Sequence, residues 1–200
     1  MRCHEIFRPV PPLENVGFYK RRLPHWHPPG ADFFVTWRLH GSLPITRRSD
    51  FDSAGEAFVA MDQQLDSAGG GPLWLKNPEV AESVAGVLLC GATDWHLYEL
   101  GAWVIMANHV HILIRPHVAL HKAIMNIKSA SARAANKILG RTGKRFWQDE
   151  SYDHWVRSDR EGGSIIRYIH NNPVTAGLVS NPENWRWSSA WQRMALPHSD

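Results

Sequence analysis

Between Phe33 and His40 the chain alternates. Phe33, Val35, Trp37 and Leu39 fall on one side of an extended segment and Phe34, Thr36, Arg38 and His40 on the other, the period of a strand with one core face and one more polar face. Spacings of three and four follow: Phe51, Ala54, Phe58, Met61 and Leu65 predict a helix from about Phe51 to Asp66, ended by Gly69-Gly70-Gly71-Pro72. Asn77 as a cap and Pro78 in the first helical position predict a second helix to Cys90, with Val80, Val84, Val87 and Leu88 as its apolar stripe. Trp95 to Leu100 reads as a strand joined by a short connection to Ala102-Trp103-Val104-Ile105 as its antiparallel neighbour. Trp103 to Arg115 is a β-branched, apolar run closed by Pro116, which predicts one buried strand. Leu120, Ile124, Ile127, Ser131, Ala134 and Ile138 then predict the longest helix, Leu120 to Leu139, with Gly140 closing it. Ser158-Asp159-Arg160-Glu161 has capping-box spacing and starts a last helix anchored by Ile165, Ile166 and Ile169.

Two pairs of polar residues interrupt this pattern. His109 and His111 are two apart, so both imidazoles leave one face of the strand while Val110, Ile112 and Ile114 leave the other; one face is core and the other, more open face is available for chemistry. Such a pair can hold a divalent metal with further ligands from elsewhere, and it equally suits two hydrogen-bonded polar positions. Tyr168 and Asn172 are four apart on one helical face. Pro173 biases Asn172 away from helical geometry, so a packed tyrosine and a C-terminal cap is the alternative reading of that pair.

Composition narrows the class. The 200 residues, 44% hydrophobic and 20% charged, fit one ordinary globular domain with a substantial core. Cys3 and Cys90 are too few for a disulfide framework or a thiolate zinc site, which makes a reducing, cytoplasmic setting the simpler expectation. The absence of an apolar run of about 18 residues, and of a signal-like segment, argues against membrane insertion and secretion. The net charge of +3, from 22 Lys and Arg against 19 Asp and Glu, is small, but its distribution is uneven. Lys122, Lys128, Arg133, Lys137, Arg141, Lys144 and Arg145 occur with no acidic residue among them. That stretch suits a polyanion better than a merely solvated helix face. Arg38 is a further candidate for phosphate contact. Residues 1–30 read as a Pro-rich, basic extension containing Lys20-Arg21-Arg22, and residues 192–200 as a short tail.

Met106-Ala107-Asn108-His109-Val110-His111-Ile112-Leu113-Ile114, followed by Tyr168-Ile169-His170-Asn171-Asn172-Pro173-Val174-Thr175-Ala176-Gly177-Leu178-Val179, resembles the IS200-type single-tyrosine transposases. The likeness is greatest to the branch associated with repetitive extragenic palindromes, and it runs from about Phe33 to Trp191. It implies an α/β (α+β), ferredoxin-like layered domain over residues 31–191, with a predominantly antiparallel sheet and packed helices. It implies Tyr168 as nucleophile and His109, His111 and Asn172 as ligands of Mg²⁺ or Mn²⁺. It further implies nicking and rejoining of single-stranded or hairpin DNA, of palindromic-repeat type, through a 5′-phosphotyrosine in a bacterial protein. One chain can assemble this site, and exchange of the tyrosine helix within a dimer stays open. Phe146 to Val156 resembles the family's last strand region, where Tyr152 and His154 are alternative candidates by residue type. Trp185-Arg186-Trp187-Ser188-Ser189-Ala190-Trp191 resembles its terminal element, expected to pack rather than to stack on bases. Two other classes stay in view: a metal-dependent phosphodiesterase that activates water, and a domesticated, non-catalytic nucleic-acid-binding protein.

Overall fold

The computed structural model describes residues 30–43, 54–67 and 70–191. The Pro-rich extension, the predicted helix start at Phe51 and the tail after Trp191 lie outside the described residues. Four strands and four helices follow in the order β1 (Phe33–Arg38), α1 (Ala54–Asp66), α2 (Pro78–Thr93), β2 (Tyr98–Ile105), β3 (His109–Pro116), α3 (Leu120–Ile138), β4 (Tyr152–Trp155) and α4 (Asp159–Thr175). The strands form one sheet in the order β2-β3-β1-β4, with every neighbouring pair antiparallel. This is an α+β fold, a four-stranded antiparallel sheet with helices packed on it. Among the described residues no helix is long and apolar enough to cross a membrane.

The alternation read from the sequence divides the sheet as expected. Val35 and Trp37 of β1 and Val110, Ile112 and Ile114 of β3 face a core shared with Val80, Val84 and Leu88 of α2 and Ile124 and Ile127 of α3. Each of these strand side chains is at most 1% exposed, and burial of this kind contributes roughly 1.5–3 kcal/mol apiece. The opposite face carries Phe34, Val104 and Leu113, covered by Phe58 of α1 and Ile169 of α4. Thus α2 and α3 lie on one side of the sheet, and α1 and α4 on the other.

Two expectations about the central strands are corrected. Trp95–Leu100 and Ala102–Ile105 are not antiparallel neighbours: β2 runs unbroken from Tyr98 to Ile105, and its register against β3 shifts between Leu100 and Ala102. Gly101 sits at that irregularity, where a β-carbon would come within 3.3 Å of the Leu113 carbonyl oxygen. A bulge of this kind keeps a strand going while changing its pairing. Nor is Trp103–Arg115 one strand. The chain turns back between Ile105 and His109, with the Met106 N–H donating to the His109 carbonyl at 2.9 Å, and β3 begins at His109. An uninterrupted apolar run has no period that marks such a reversal.

Helix signals were more direct. Asn77 accepts from the Glu79 N–H at 2.9 Å and caps α2, with Pro78 in the first turn. Ser158 accepts from the Glu161 N–H and caps α4. The return half of that capping box is displaced: the Glu161 carboxylate takes the Arg157 N–H and a His154 ring nitrogen instead. Pro173 does not end α4, since the helix continues to Thr175 and the Ala176 N–H still reaches the Asn172 carbonyl at 2.9 Å. After α4 the chain crosses the β2 edge. The Ile105 N–H donates to the Trp187 carbonyl, the Trp185 indole N–H to the Ile105 carbonyl, and the Trp103 N–H to the Ser189 hydroxyl. The Trp-Ser-Ser element therefore covers a strand edge that would otherwise be open to pairing.

Gly91 tests the packing of α2 on β2. A β-carbon there would collide with the Tyr98 hydroxyl, and that buried hydroxyl donates to the Leu88 carbonyl. Gly91→Ala is expected to lower stability by about 1–3 kcal/mol despite the better helix propensity of alanine. Urea unfolding monitored by tryptophan fluorescence measures the shift.

Candidate active site

β3 begins with the two histidines because the turn at Ala107-Asn108 sets its register. His109 pairs with Arg38 and His111 with Thr36 on β1, so both imidazoles point to the side occupied by α1 and α4. That side is not open, contrary to expectation. Both histidines are 0% exposed, since α1 and α4 close over them.

Each imidazole is held by its Nδ1 and turns its Nε2 toward α1. The Asn108 amide donates to the Leu65 carbonyl at 3.0 Å, which turns its oxygen toward His109. That oxygen lies 2.7 Å from His109 Nδ1, so Nδ1 carries the proton and Nε2 a lone pair. His111 Nδ1 lies 2.7 Å from the Thr36 hydroxyl. The two rings stand edge to face, with centroids 4.6 Å apart. Facing them is Asp62 of α1, whose Oδ1 is 3.2 Å from His111 Nε2 and 3.6 Å from His109 Nε2. Asp66, one turn further along α1, places its Oδ1 3.7 Å from His109 Nε2.

α4 adds the remaining groups. Tyr168 donates its hydroxyl hydrogen to Asp62 Oδ2. Asn172, four residues on and 2% exposed, directs its amide nitrogen to the same oxygen at 3.4 Å. Tyr168 is 37% exposed, so its ring edge is open to a large substrate while its hydroxyl touches the site. Phe34 and Phe58 border it edge to face.

Burial and neighbouring charge set the protonation states. Burial, with the adjacent His111, lowers His109 to about 3 against the opposing pull of Asp62, so its imidazole is neutral. Burial would raise the Asp62 carboxyl, but His111, His109 and the Asn172 amide outweigh it and leave it below the ordinary value. Burial and the proximity of Asp62 push Asp66 up to about 7, with His111 opposing.

Asp62, His109 and His111 place their ligand atoms within 4.8 Å of one another. His109 Nε2, His111 Nε2, Asp62 Oδ1 and Asn172 Oδ1 are all buried without a hydrogen-bond partner. A buried polar atom left unpaired costs about 1–3 kcal/mol. Three of these atoms, from Asp62, His109 and His111, converge and fit a divalent cation such as Mg²⁺ or Mn²⁺, with Asn172 beside them.

The structure thus gathers Tyr168, His109, His111 and Asn172 from β3 and α4. Sequence reasoning missed Asp62. Its signal was weak: a carboxylate beside the Phe58, Met61 and Leu65 stripe, four residues before Asp66. Tyr152 stacks on Phe58 at 4.3 Å between ring centroids, and His154 pairs with Glu161. His170, left out of the site by helical geometry, bonds Ser189 instead.

The basic residues are not gathered with the metal ligands. Arg38, at the end of β1, is half-buried and lies 3.4 Å from the Ser42 hydroxyl. Lys122, Arg133, Lys137, Lys144 and Arg145 are exposed on α3 and the loop after it, behind the sheet as seen from His109 and His111. Lys128 donates to the Gln148 and Asp149 carbonyls, and the Arg141 guanidinium lies 3.6 Å over the Trp74 ring. A cleft of about 400 Å³ runs beside them, lined by Met125, Lys128, Lys144, Arg145 and Asp149.

This geometry defines a candidate metal centre with a tyrosine hydroxyl presented to it from a helix. Residues 75–172 match the family described as "Transposase IS200 like". The chain is related to the REP-associated tyrosine transposases: it is 25% identical over 93 residues to the Escherichia coli (strain K12) protein of that name, covering 46% of this chain and 54% of that one. A relative from Haemophilus influenzae that carries the same family name is 27% identical over 103 residues, covering 46% of this chain and 58% of that one. The chain thus spans little more than half the length of these curated relatives. A solved structure of a REP-associated tyrosine transposase bound to a REP hairpin superposes with a TM-score of 0.52 at 19% identity, covering 90% of this chain and 86% of that one. The fold is shared with that protein.

The Asp66 carboxyl gives a test of the site without activity. Its value is raised from 3.8 to about 7 on folding, so the folded state keeps a proton that the unfolded state loses. Metal-free protein therefore loses stability as pH rises through that window. Asp66→Asn is expected to flatten this fall in melting temperature, measured by differential scanning calorimetry in EDTA across the same range.

Proposed function

We propose that this protein is a metal-dependent single-tyrosine transposase that nicks and rejoins single-stranded or hairpin DNA. The observation that carries the reading is the meeting of the Tyr168 hydroxyl with Asp62, the same carboxylate that faces the open nitrogens of His109 and His111. A nucleophile and a metal-ligand cluster in contact are the two parts such chemistry needs. The domain is read as ferredoxin-like, a reading supported by the order β2-β3-β1-β4 with helices α2 and α3 on one face.

In this mechanism Asp62 Oδ2 orients the Tyr168 hydroxyl and is placed to accept its proton. The phenolate oxygen forms a bond to phosphorus as the bond to the 3′ oxygen breaks, leaving a 5′-phosphotyrosine and a free 3′-hydroxyl. Because the phosphodiester is conserved in that link, attack by another 3′-hydroxyl rejoins strands with no nucleotide cofactor. A cation held by His109, His111, Asp62 and Asn172 would supply Lewis-acid stabilisation of the phosphate charge. One chain supplies all of these groups, which favours a functional monomer. A cytoplasmic DNA partner, palindromic and hairpin-forming, is the substrate this reading takes.

The basic surface of α3 is proposed as a DNA-holding face separate from the cutting face. A hairpin reaching both would have to pass round the end of the central strands, where Arg38 closes β1. Neutralising Lys122, Arg133, Lys137 and Lys144 together is expected to flatten the slope of log affinity against log salt by up to about 3 for single-stranded hairpin DNA. Fluorescence anisotropy across a salt series measures it, and an unchanged slope places the holding face elsewhere.

The chemical step has its own test. Tyr168→Phe retains the ring and its contacts with Phe34 and Phe58 but deletes the attacking oxygen. Loss of both cleavage and the covalent adduct is expected, with DNA affinity within about twofold of the parent. Tyr152→Phe should keep the adduct. Mass spectrometry of the proteolysed adduct locates the linkage; Mn²⁺-dependent cleavage by Tyr168→Phe without an adduct would show water to be the nucleophile.

A further inference from the structure

We propose that α1 is a metal-fastened lid: Asp62 and Asp66 together bring two carboxylate ligands to the centre formed by His109, His111 and Asn172, so that the bound cation ties α1 to the sheet. The inference rests on the metal reading of the site and extends it to Asp66 and to the helix that carries it.

Among the described residues seven buried side-chain nitrogen or oxygen atoms lack a hydrogen-bond partner, and five of them are His109 Nε2, His111 Nε2, Asp62 Oδ1, Asp66 Oδ1 and Asn172 Oδ1. They come from β3, α1 and α4. His111 Nε2 lies 3.2 Å from Asp62 Oδ1, within hydrogen-bond reach; the His109 contacts are longer. The Asn108 amide fixes the proton of His109 on Nδ1, so Nε2 turns a lone pair toward Asp62 Oδ1 at 3.6 Å and Asp66 Oδ1 at 3.7 Å. Lone pairs facing carboxylate oxygens in a dry place repel, and the repulsion becomes attraction when a cation lies between them. Two imidazole nitrogens, two carboxylate oxygens and an amide oxygen form a mixed set that suits Mn²⁺.

Among the described side chains, apolar contact between the same helix and the sheet runs through Phe58, with Met61 packed beside it. Phe58 and Leu65 are its buried apolar side chains among those described, and the Leu65 carbonyl accepts from Asn108. Asp62 and Asp66 lie one turn apart on α1 and face the histidines together. Metal binding and closure of α1 then become one event. Since Asp62 Oδ2 also holds the Tyr168 hydroxyl, closure orients the nucleophile at the moment the metal is captured.

Hydrogen–deuterium exchange of the full chain, with and without Mn²⁺, reads α1 directly, and Mn²⁺ titration followed by electron paramagnetic resonance reads affinity. Mn²⁺ is expected to slow exchange across residues 54–66 by on the order of tenfold or more. Asp66→Ala, at a helical position where alanine is well tolerated, should abolish that protection and weaken Mn²⁺ binding by on the order of tenfold. Asp66→Asn, which keeps the side-chain volume, should weaken both in the same direction. Parental affinity and parental protection of α1 in both variants would overturn the lid while leaving the His109 and His111 centre standing. A parent protein that takes up no Mn²⁺ would overturn the centre and the lid together.

Discussion

His109 and His111 present two buried imidazole nitrogens, both without a protein donor, to the same point in the interior. Ordinary folding removes such arrangements, because hydrogen bonds lost to burial must be remade inside. Here the opposite nitrogens are secured by Asn108 and Thr36, so the rings cannot turn away from the gap between them. The rest of this face is arranged around that fixed gap: α1 brings carboxylates to it, and α4 brings an amide and a phenol.

The sheet makes this arrangement rigid. The face of β3 opposite the histidines is locked into the larger core by Val110, Ile112 and Ile114. A one-residue slip would drive both imidazoles into that core and expose its aliphatic residues. β1 fixes the register from one side by pairing Thr36 with His111, and β2 from the other by pairing Val104 with His111. The placement of the two histidines is thus set by the apolar contacts on the other face of β3. α4 is anchored separately, through Ile169 beneath and the His170–Ser189 bond at its side, which leaves the edge of Tyr168 accessible without leaving its hydroxyl loose.

Charge is divided between the two faces. The face that carries the histidines is nearly closed and rich in acceptors, while exposed lysines and arginines gather on α3 behind the sheet. Part of the basic stretch supports the fold itself, since Lys128 binds the carbonyls that lead into β4 and Arg141 lies on Trp74. An uninterrupted basic run in sequence therefore overstates the free charge at the surface.

Elements with a strong period were legible in the sequence: β1 by alternation, α2 and α4 by their caps, α3 by its stripe. Spacing placed His109 with His111 and Tyr168 with Asn172 on shared faces, while their roles came from the resemblance to the IS200-type transposases. The turn between β2 and β3 was not, since apolar residues continue through it, and Gly101 reads as a break although it is a bulge within one strand. Asp62 and Asp66 were hidden for a different reason. An acidic residue on an amphipathic helix normally faces water, and nothing local distinguishes one that will meet histidines 47 or 49 positions later (109 − 62 and 111 − 62). That the histidine face is sealed rather than open was likewise decided by how α1 and α4 pack across the sheet, a long-range outcome that no local period encodes.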